Sequence, residues 1–573
     1  MSLRFRLAIP LALLALVPSL APDVARADPA PPWCAHPHPW CDQTLDPDQR
    51  ADLLAADLTG DEKLQLLAGG EQGVLPTVPR LGLPAITFTD GTAGGLPAPL
   101  ALAATFDTGA ASRYGAVVGD EAKHHGDSVV FGPSVDVTGS SAWQSFGGDP
   151  YLSARLATQW TQAAQAQGVI AAVKTYTGPS SPKELHEVRL PPYDAALGAG
   201  GAGMVVCAAP ACESPYLLTT VLRKELHFPG VVVSTDVHAA TDTRQAAEAG
   251  LDLQFPGSGA YALPLLQFWT TVGGVTWATV STHVHRILRT LFAFGVLDHA
   301  AYTDDSSAAS YRPTLTEHAQ TALEIAKSSI TLLRNTGALP LTGTTSAIAL
   351  IGPGAAAARP AIAARVPSVT ADDGTSMPTA VADAQAADAA VVLCASPDCD
   401  ELIHAVAAAN PHTIVVLQTG GPVGTPWAQQ VAGILEAWSP VSQSGTALAS
   451  VLFGDTDPGG RLPIAFPGYP FGYGLSYTSF GYSNLIVQGT SVQVTVTNTG
   501  TRRGIAVPQL TLDGRLAGFT KVTLDPGEST PVSFALTTRD LSRWDVASSA
   551  WKPVPGCRRL SVSGLATTIG CPS

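Results

Sequence analysis

The residues best placed to do chemistry lie between Phe228 and Thr243, in a run that reads Pro-Gly-Val-Val-Val-Ser234-Thr235-Asp236-Val-His238-Ala-Ala-Thr-Asp242. Three β-branched residues closed by Ser-Thr-Asp read as a buried strand that delivers a carboxylate at its C-terminal end. In a parallel (β/α) barrel that end carries the chemistry. An ionised aspartate there suits nucleophilic or acid–base work on a polar substrate. Other chemistries have weaker footing. No Gly-x-Ser-x-Gly elbow is present, which argues against a serine hydrolase. The glycine-rich stretch Gly198–Gly203 precedes a strand instead of following one, the wrong context for a phosphate or dinucleotide loop.

A carboxylate on a strand needs a scaffold, and 573 residues are too many for one core, so two to four domains are expected. The chain is 46% hydrophobic and 14% charged, which fits packed globular domains and excludes wholesale disorder. Its formal net charge is −14 without a basic stripe, so nucleic acid is not an expected partner. Arg4 and Arg6 lead into the apolar run Leu7–Leu20, and Ala25-Arg26-Ala27 supplies a small-x-small cleavage site. Residues 1–27 therefore read as a signal peptide. No later run is long and apolar enough to span a bilayer, so the expectation is a secreted, extracellular chain with no membrane attachment after cleavage.

The eight cysteines fall into four close pairs, Cys34/Cys41, Cys207/Cys212, Cys394/Cys399 and Cys557/Cys571. An even count at local spacing in an exported chain argues for disulfides. Zinc is the competing use of cysteine, but histidines at zinc-site spacing are missing beside these pairs, so no metal is expected.

Residues 28–45 form a Cys- and Pro-rich extension. From 46 to 300, strands expected at 85–89, 128–131, 169–173, 203–207 and 230–234 alternate with helices such as 151–167 and 215–226. That alternation predicts a parallel barrel. A connecting segment, 301–345, is expected to be helical from Thr316 to Asn335. A second α/β unit occupies 346–470, with strands at 347–352, 390–393 and 413–418. After a linker at 471–484 the pattern changes to alternation, as in Val492, Val494 and Val496 and again in Val532, Phe534 and Leu536. Residues 485–573 thus read as an all-β sandwich.

Several motifs in order resemble glycoside hydrolase family 3, in its β-glucosidase branch. They are Asp90-Gly91, Phe146-Gly-Gly-Asp149-Pro-Tyr-Leu152, Leu190-Pro-Pro-Tyr193, Gly250-Leu-Asp252-Leu253, Gly454-Asp-Thr-Asp457-Pro-Gly-Gly-Arg461-Leu-Pro463, Phe471-Gly-Tyr-Gly-Leu-Ser-Tyr477 and Gly518-Phe519. The resemblance implies a multidomain α/β plus β fold: a (β/α)8-type barrel, an α/β sandwich and a fibronectin type III-like sandwich. It also implies a retaining β-glycosidase that binds carbohydrate and needs no cofactor, using two carboxyl groups ~5–5.5 Å apart. The family's nucleophile comes directly after Val-Val-Ser. Counting forward from Ser234 puts it at Thr235, and counting back from Asp242-Thr243 puts it at Asp236, because one residue is inserted between those anchors. A bulge at the strand end would turn Asp236 into the pocket; otherwise Asp236 points sideways or caps the next helix.

The same resemblance places Asp90, Lys174 and Trp143 around the sugar. It also exposes departures: Thr175 stands where the family has histidine after the lysine, and the arginine before the Phe-Gly-x-Asp-Pro motif is missing. The loop that carries the family's acid is cut to Cys394-Ala-Ser-Pro-Asp398-Cys399-Asp-Glu401, leaving Asp398 and Glu401 as acid candidates. His186, on the loop used by a related N-acetylglucosaminidase branch, reads as a helix residue. The alternative to an active hydrolase is a pseudoenzyme that keeps the fold to bind a glycan or a protein.

Overall fold

The computed structural model describes residue 34 and residues 38–70, 73–91, 95–137, 142–178, 181–299 and 302–571; the signal peptide expected over 1–27 lies outside them. The first unit is a sheet of seven strands in sequential order: β1 (Val74–Leu75), β2 (Ile86–Thr89), β3 (Val129–Ser134), β4 (Ile170–Tyr176), β5 (Met204–Cys207), β6 (Val231–Ser234) and β7 (Leu253–Gln254). β1 pairs antiparallel with β2, and every later pair is parallel. The barrel thus opens on a hairpin and has seven strands among the described residues where eight were expected. Phe255, just beyond β7, packs on Phe88 of β2 with ring centroids 4.7 Å apart, so side chains bring the two ends of the sheet together. All four residues of β6 are buried, as a Val-Val-Val-Ser run between two neighbouring strands requires.

One buried carboxylate fixes how β6 sits. Asp252, fully buried just before β7, accepts from the Val232 amide at 2.8 Å, Arg223 Nη2 at 2.7 Å and Arg286 Nη1 at 3.0 Å, and pairs with His283 Nδ1 at 2.6 Å. Although burial alone would raise it, the surrounding cations hold its carboxyl well below the ordinary range. The helix Trp277–Ala293 supplies His283 and Arg286, and the helical segment Tyr216–Glu225 supplies Arg223, so one anion locks two helices to two strands.

The second unit is a six-stranded sheet in the order β10-β9-β11-β12-β13-β8. Its strands are β8 (Thr331–Asn335), β9 (Ala347–Ile351), β10 (Ser368–Asp372), β11 (Ala389–Cys394), β12 (Thr413–Leu417) and β13 (Gly433–Glu436). Here the structure corrects the expected helix 316–335. The helix runs Arg312–Ser329 and stops, and Thr331–Asn335 becomes an edge strand antiparallel to β13. The cause is local: Ile330 and Thr331 are β-branched, and Leu332 and Leu333 bury into opposite faces of the sheet, a period of two. β10 was also missed, because its Ser-Val-Thr-Ala-Asp sequence is mostly exposed and lacks an apolar run.

The third unit begins with the strand Phe480–Gln488, slightly earlier than the alternation suggested. Val492 and Val494 pair with Phe534 and Val532, and all four are buried, as the alternation predicted. Disulfides join Cys34–Cys41, Cys207–Cys212, Cys394–Cys399 and Cys557–Cys571. No helix among the described residues is long and apolar enough to cross a membrane.

The units interlock through the motifs. The Gly148 amide donates to Pro463 O at 2.9 Å, and a Cβ on Gly147 would lie 2.2 Å from the same oxygen, so only glycine admits the second unit there. Asp457 accepts from Tyr477 N at 2.8 Å and Ile505 N at 2.9 Å, tying the second unit to the third. Lys521 Nζ donates to Thr105 O and Ser328 Oγ across the barrel and its exit helix, and burial pushes its pKa down to about 8.

Replacing Asp252 by Asn strands two guanidinium groups around a neutral amide. Such a break costs about 3–5 kcal/mol. The expected outcome is a loss of that size in denaturant-induced unfolding; a loss below ~1 kcal/mol would mean that water already shares the load of this cluster.

Candidate active site

β2 and β4 each place one charged residue at their carboxyl ends. Lys174, on β4, donates from Nζ to Asp90 Oδ1 at 2.7 Å; the lysine side chain is 24% exposed and the aspartate 76%. An ion pair this open contributes only about 0–1 kcal/mol to stability. Its consequence is geometric: one aspartate oxygen is committed, and the rest of the carboxylate faces solvent. The pair lies on a cavity of about 430 Å³ whose walls include Tyr114, Phe131, Gln144 and Trp143. Trp143, in the short turn Ala142–Gln144, is 49% exposed. A half-exposed indole beside an open carboxylate is the pairing a sugar ring uses, with a face to stack on and an acceptor for hydroxyls.

The second unit touches the turn that carries Trp143, although none of its described residues lines the cavity. A Cβ on Gly420 would approach Trp143 Cβ to 3.3 Å, so the loop after β12 lies against the indole. That loop is held by Glu436, at the end of β13. Glu436 Oε1 accepts from Trp438 N at 2.7 Å and Thr419 N at 3.3 Å, and Oε2 lies 3.0 Å from Thr419 Oγ1. Thr419 has a single hydroxyl proton, and Gly421 O, 2.9 Å away, accepts it. The Glu436–Thr419 contact is then satisfied when Glu436 itself is protonated and donates. Burial without a cation pushes its carboxyl up to about 8, in agreement. A lone glutamate in the apolar strand Gly433-Ile-Leu-Glu436 was the sequence signal for this group, and sequence reasoning passed over it.

The remaining expected residues lie elsewhere. β6 keeps unbroken register with β5 and β7 through Ser234, so the inserted residue forms no bulge within the strand. It is absorbed in the turn beyond, where Thr235 and Asp236 are both exposed. Asp236 Oδ1 accepts from His238 N at 2.8 Å, and its amide lies 3.3 Å from Ser234 Oγ. The carboxylate therefore caps its own turn, while Asp242 caps the helix Thr243–Ala249. Asp236 is at the barrel's carboxyl end but is not among the residues lining the Asp90 cavity. Asp398, in a one-turn helix, and Glu401, in the first turn of the helix Asp400–Ala409, are exposed and do not line it either. His186 is buried in a helical segment, stacked on Trp544 at 3.5 Å and paired with Glu225.

Because Glu436 keeps its proton in the folded chain up to about pH 8 and releases it near 4.5 when unfolded, the unfolded state binds fewer protons between those values. Stability must then fall as pH rises through that window. Glu436→Gln keeps the acceptor and supplies an N–H to Thr419. The expected outcome, read as melting temperature against pH, is a flatter profile for the variant, near the parent at pH ~5 and above it at pH ~8. Parallel profiles would show that Glu436 does not carry the dependence.

Known proteins match this arrangement along its length. Residues 85–290 match the glycosyl hydrolase family 3 N-terminal domain, 330–484 the family's C-terminal domain, and 511–565 a fibronectin type III-like domain. A probable β-glucosidase L of Emericella nidulans is 30% identical over 82% of this chain and 86% of its own. A β-xylosidase of Formosa agariphila is 26% identical over 86% and 90%. The crystal structure of the β-D-glucoside glucohydrolase of Trichoderma reesei superposes with a TM-score of 0.83 at 25% identity, covering 94% of this chain and all of that one. Three matched segments in the family's own order, together with these relatives, place the chain in glycosyl hydrolase family 3, as a glycosidase.

Proposed function

We propose that this glycosidase is exported and removes terminal β-glucosyl residues with retention of configuration. The supporting observation is the Asp90–Lys174 pair opening with Trp143 on one cavity at the carboxyl ends of a family 3 barrel. Relatives named β-glucosidase favour glucose over xylose as the sugar. Four disulfides support an oxidising compartment.

In this reading Asp90 accepts from sugar hydroxyls while Lys174 orients it, and Trp143 carries the ring face. Asp236 is the nucleophile. Its single hydrogen bond, from His238 N, is a turn contact that a rotation of the side chain releases. The attacking oxygen forms a bond to the anomeric carbon as the aglycone departs with the bonding pair, and water then cleaves the glycosyl ester. Among the described residues lining the cavity, Asp90 is the sole carboxylate, so the departing oxygen receives no proton from the wall. Asp398 and Glu401 remain the acid candidates nearest in sequence to the shortened loop. With both outside the cavity, the rate depends on how well the aglycone leaves unaided.

Aryl β-glucosides of graded leaving-group pKa test this directly. The expected outcome is a steep fall of kcat/KM with aglycone pKa and a β-configured first product. Asp236→Asn is expected to lower kcat by about 10³-fold on the best substrate. Turnover that survives the substitution intact would remove Asp236 from the mechanism, and absence of turnover on every activated glycoside would remove the hydrolase reading. Asp90→Asn weakens charged hydrogen bonds worth ~1.5–3 kcal/mol, so kcat/KM is expected to drop about 10–100-fold with an unchanged melting temperature. An equal loss for glucosides and their 2-, 3-, 4- and 6-deoxy analogues would mean that Asp90 grips no hydroxyl.

A further inference from the structure

A second cavity, of about 320 Å³, lies where the third unit meets the barrel, away from Asp90 and Lys174. Its walls are largely apolar, with Leu512, Leu516 and Pro191 among them, and the indole of Trp551 forms one side. Pockets of this size and character at domain junctions are where small molecules bind, with a few polar groups setting the orientation.

Three carboxyl groups and three guanidinium groups line it, and they differ in how closely they are paired. Among the acidic groups on the wall, Glu187 is taken by Arg515 at 2.6 Å, Lys183 at 2.7 Å and Trp544 N at 2.9 Å. Asp540 accepts from Thr537 N and Oγ1, each at 2.7 Å. Asp149 caps a helix through Leu152 N at 2.8 Å, and burial pushes its carboxyl up to about 6. Glu187 is engaged at both oxygens, whereas both bonds to Asp540 fall on Oδ2. Two guanidinium groups have carboxylate contacts only at 4.0 Å. Arg539 lies over the Trp551 ring at 3.4 Å, and its carboxylate contact, Asp194, is 4.0 Å away. Arg543 donates to Ser542 O at 2.9 Å, but its contact with Asp513 is also 4.0 Å. Asp513 already accepts from Arg558 Nε at 2.7 Å and Arg559 N at 3.0 Å. Both side chains line the cavity, Arg539 exposed at 42% and Arg543 partly buried at 25%.

We propose that this junction cavity binds a compact aromatic carboxylate, its ring against Trp551 and the apolar wall and its carboxylate between Arg539 and Arg543. A guanidinium fork matches a carboxylate better than any neutral group, and Arg stacked on an indole is held flat for it. The volume admits one ring with a short arm. A polyhydroxylated acid would leave its hydroxyls facing leucine and proline, and a neutral ring would leave both guanidinium groups unanswered. The site is independent of glycoside hydrolysis and stands or falls separately from it.

The test is calorimetric titration of the full chain with trans-cinnamate and with its neutral isostere cinnamamide. The expected result is one site per chain with a Kd below ~1 mM for cinnamate. Cinnamamide should bind at least tenfold more weakly, and the cinnamate affinity should fall as salt is raised. Arg539→Gln and Arg543→Gln, made separately and checked by their melting transitions, should each weaken cinnamate at least fivefold while leaving cinnamamide unchanged. Should one variant fail to fold, the other decides. Equal binding of acid and amide, no heat with cinnamate, unchanged affinity in a folded variant, or displacement of cinnamate by glucose would each overturn the proposal.

Discussion

The buried carboxylate of Asp252 is the constraint on which the barrel depends. It sits where β6 and β7 begin and satisfies a backbone amide of β6 while drawing in two arginines and a histidine. A charge in that position is favourable only when every partner is present, since desolvation otherwise exceeds the Coulombic gain. The arrangement therefore behaves as a unit that fixes the twist and height of β6 from below. Everything at the opposite end of that strand, including the turn carrying Thr235 and Asp236, inherits its position from this contact. Substitutions at the upper turn are tolerable to the fold because the strand is anchored at its foot.

The joints between units obey a different physics. Between the first and second units they are made of glycines and main-chain hydrogen bonds, whereas the third unit also meets the barrel through ion pairs such as Arg515–Glu187. Gly147 and Gly148 meet Pro463, and a Cβ on Gly460 would lie 2.2 Å from Ser329 O. Such contacts allow no side chain and little sliding, so the second unit is held at one distance from the barrel mouth. What it places beside Trp143 is accordingly backbone from the Gly420 loop, itself pinned by the neutral carboxyl of Glu436. At Lys521, in the joint with the third unit, burial erodes the basicity of the amine and its hydrogen-bond partners are neutral oxygens.

Much of the fold was legible because its signals are local. The Val-Val-Val-Ser run is buried in the sheet, the sandwich valines alternate, and the cysteine pairs close short loops. What misled was context. Thr316–Asn335 carries good helix formers and then Ile330-Thr331-Leu332-Leu333, and only pairing with β13 decides that the helix ends before them. For the site, the motif positions Asp90, Lys174 and Trp143 do converge on one cavity: Asp90 follows β2, Lys174 lies on β4 across the intervening β3, and Trp143 is in the short turn 142–144. Asp236 was not resolvable from spacing. A one-residue insertion is invisible to counting when it falls in a turn, and the direction of its side chain is set by a hydrogen bond to His238 that no pattern encodes. Glu436 was missed because an acidic residue in a buried strand looks like an exception until its neutral hydrogen bonds are seen.

The shortening of the loop after β11 bears on how the site must work. Cys394 ends that strand and Cys399 immediately precedes the next helix, so the disulfide between them keeps the connection close to the sheet. The loop is tied at a separation of five residues, and neither Asp398 nor Glu401 lines the cavity. Among the described residues the second unit contributes none to the cavity lining, and its Glu436 is fully buried. Residues 92–94, 138–141 and 179–180, adjacent in sequence to the ends of the barrel strands, contain no Asp or Glu, so the sequence supplies no carboxylate there either. In the mechanism we propose, proton donation to a departing aglycone therefore has no resident group on the described wall, and Asp90 and Lys174 serve the sugar side. A catalyst built this way discriminates by leaving-group ability more than by aglycone shape, because the barrier it lowers is the one on the glycosyl side of the bond.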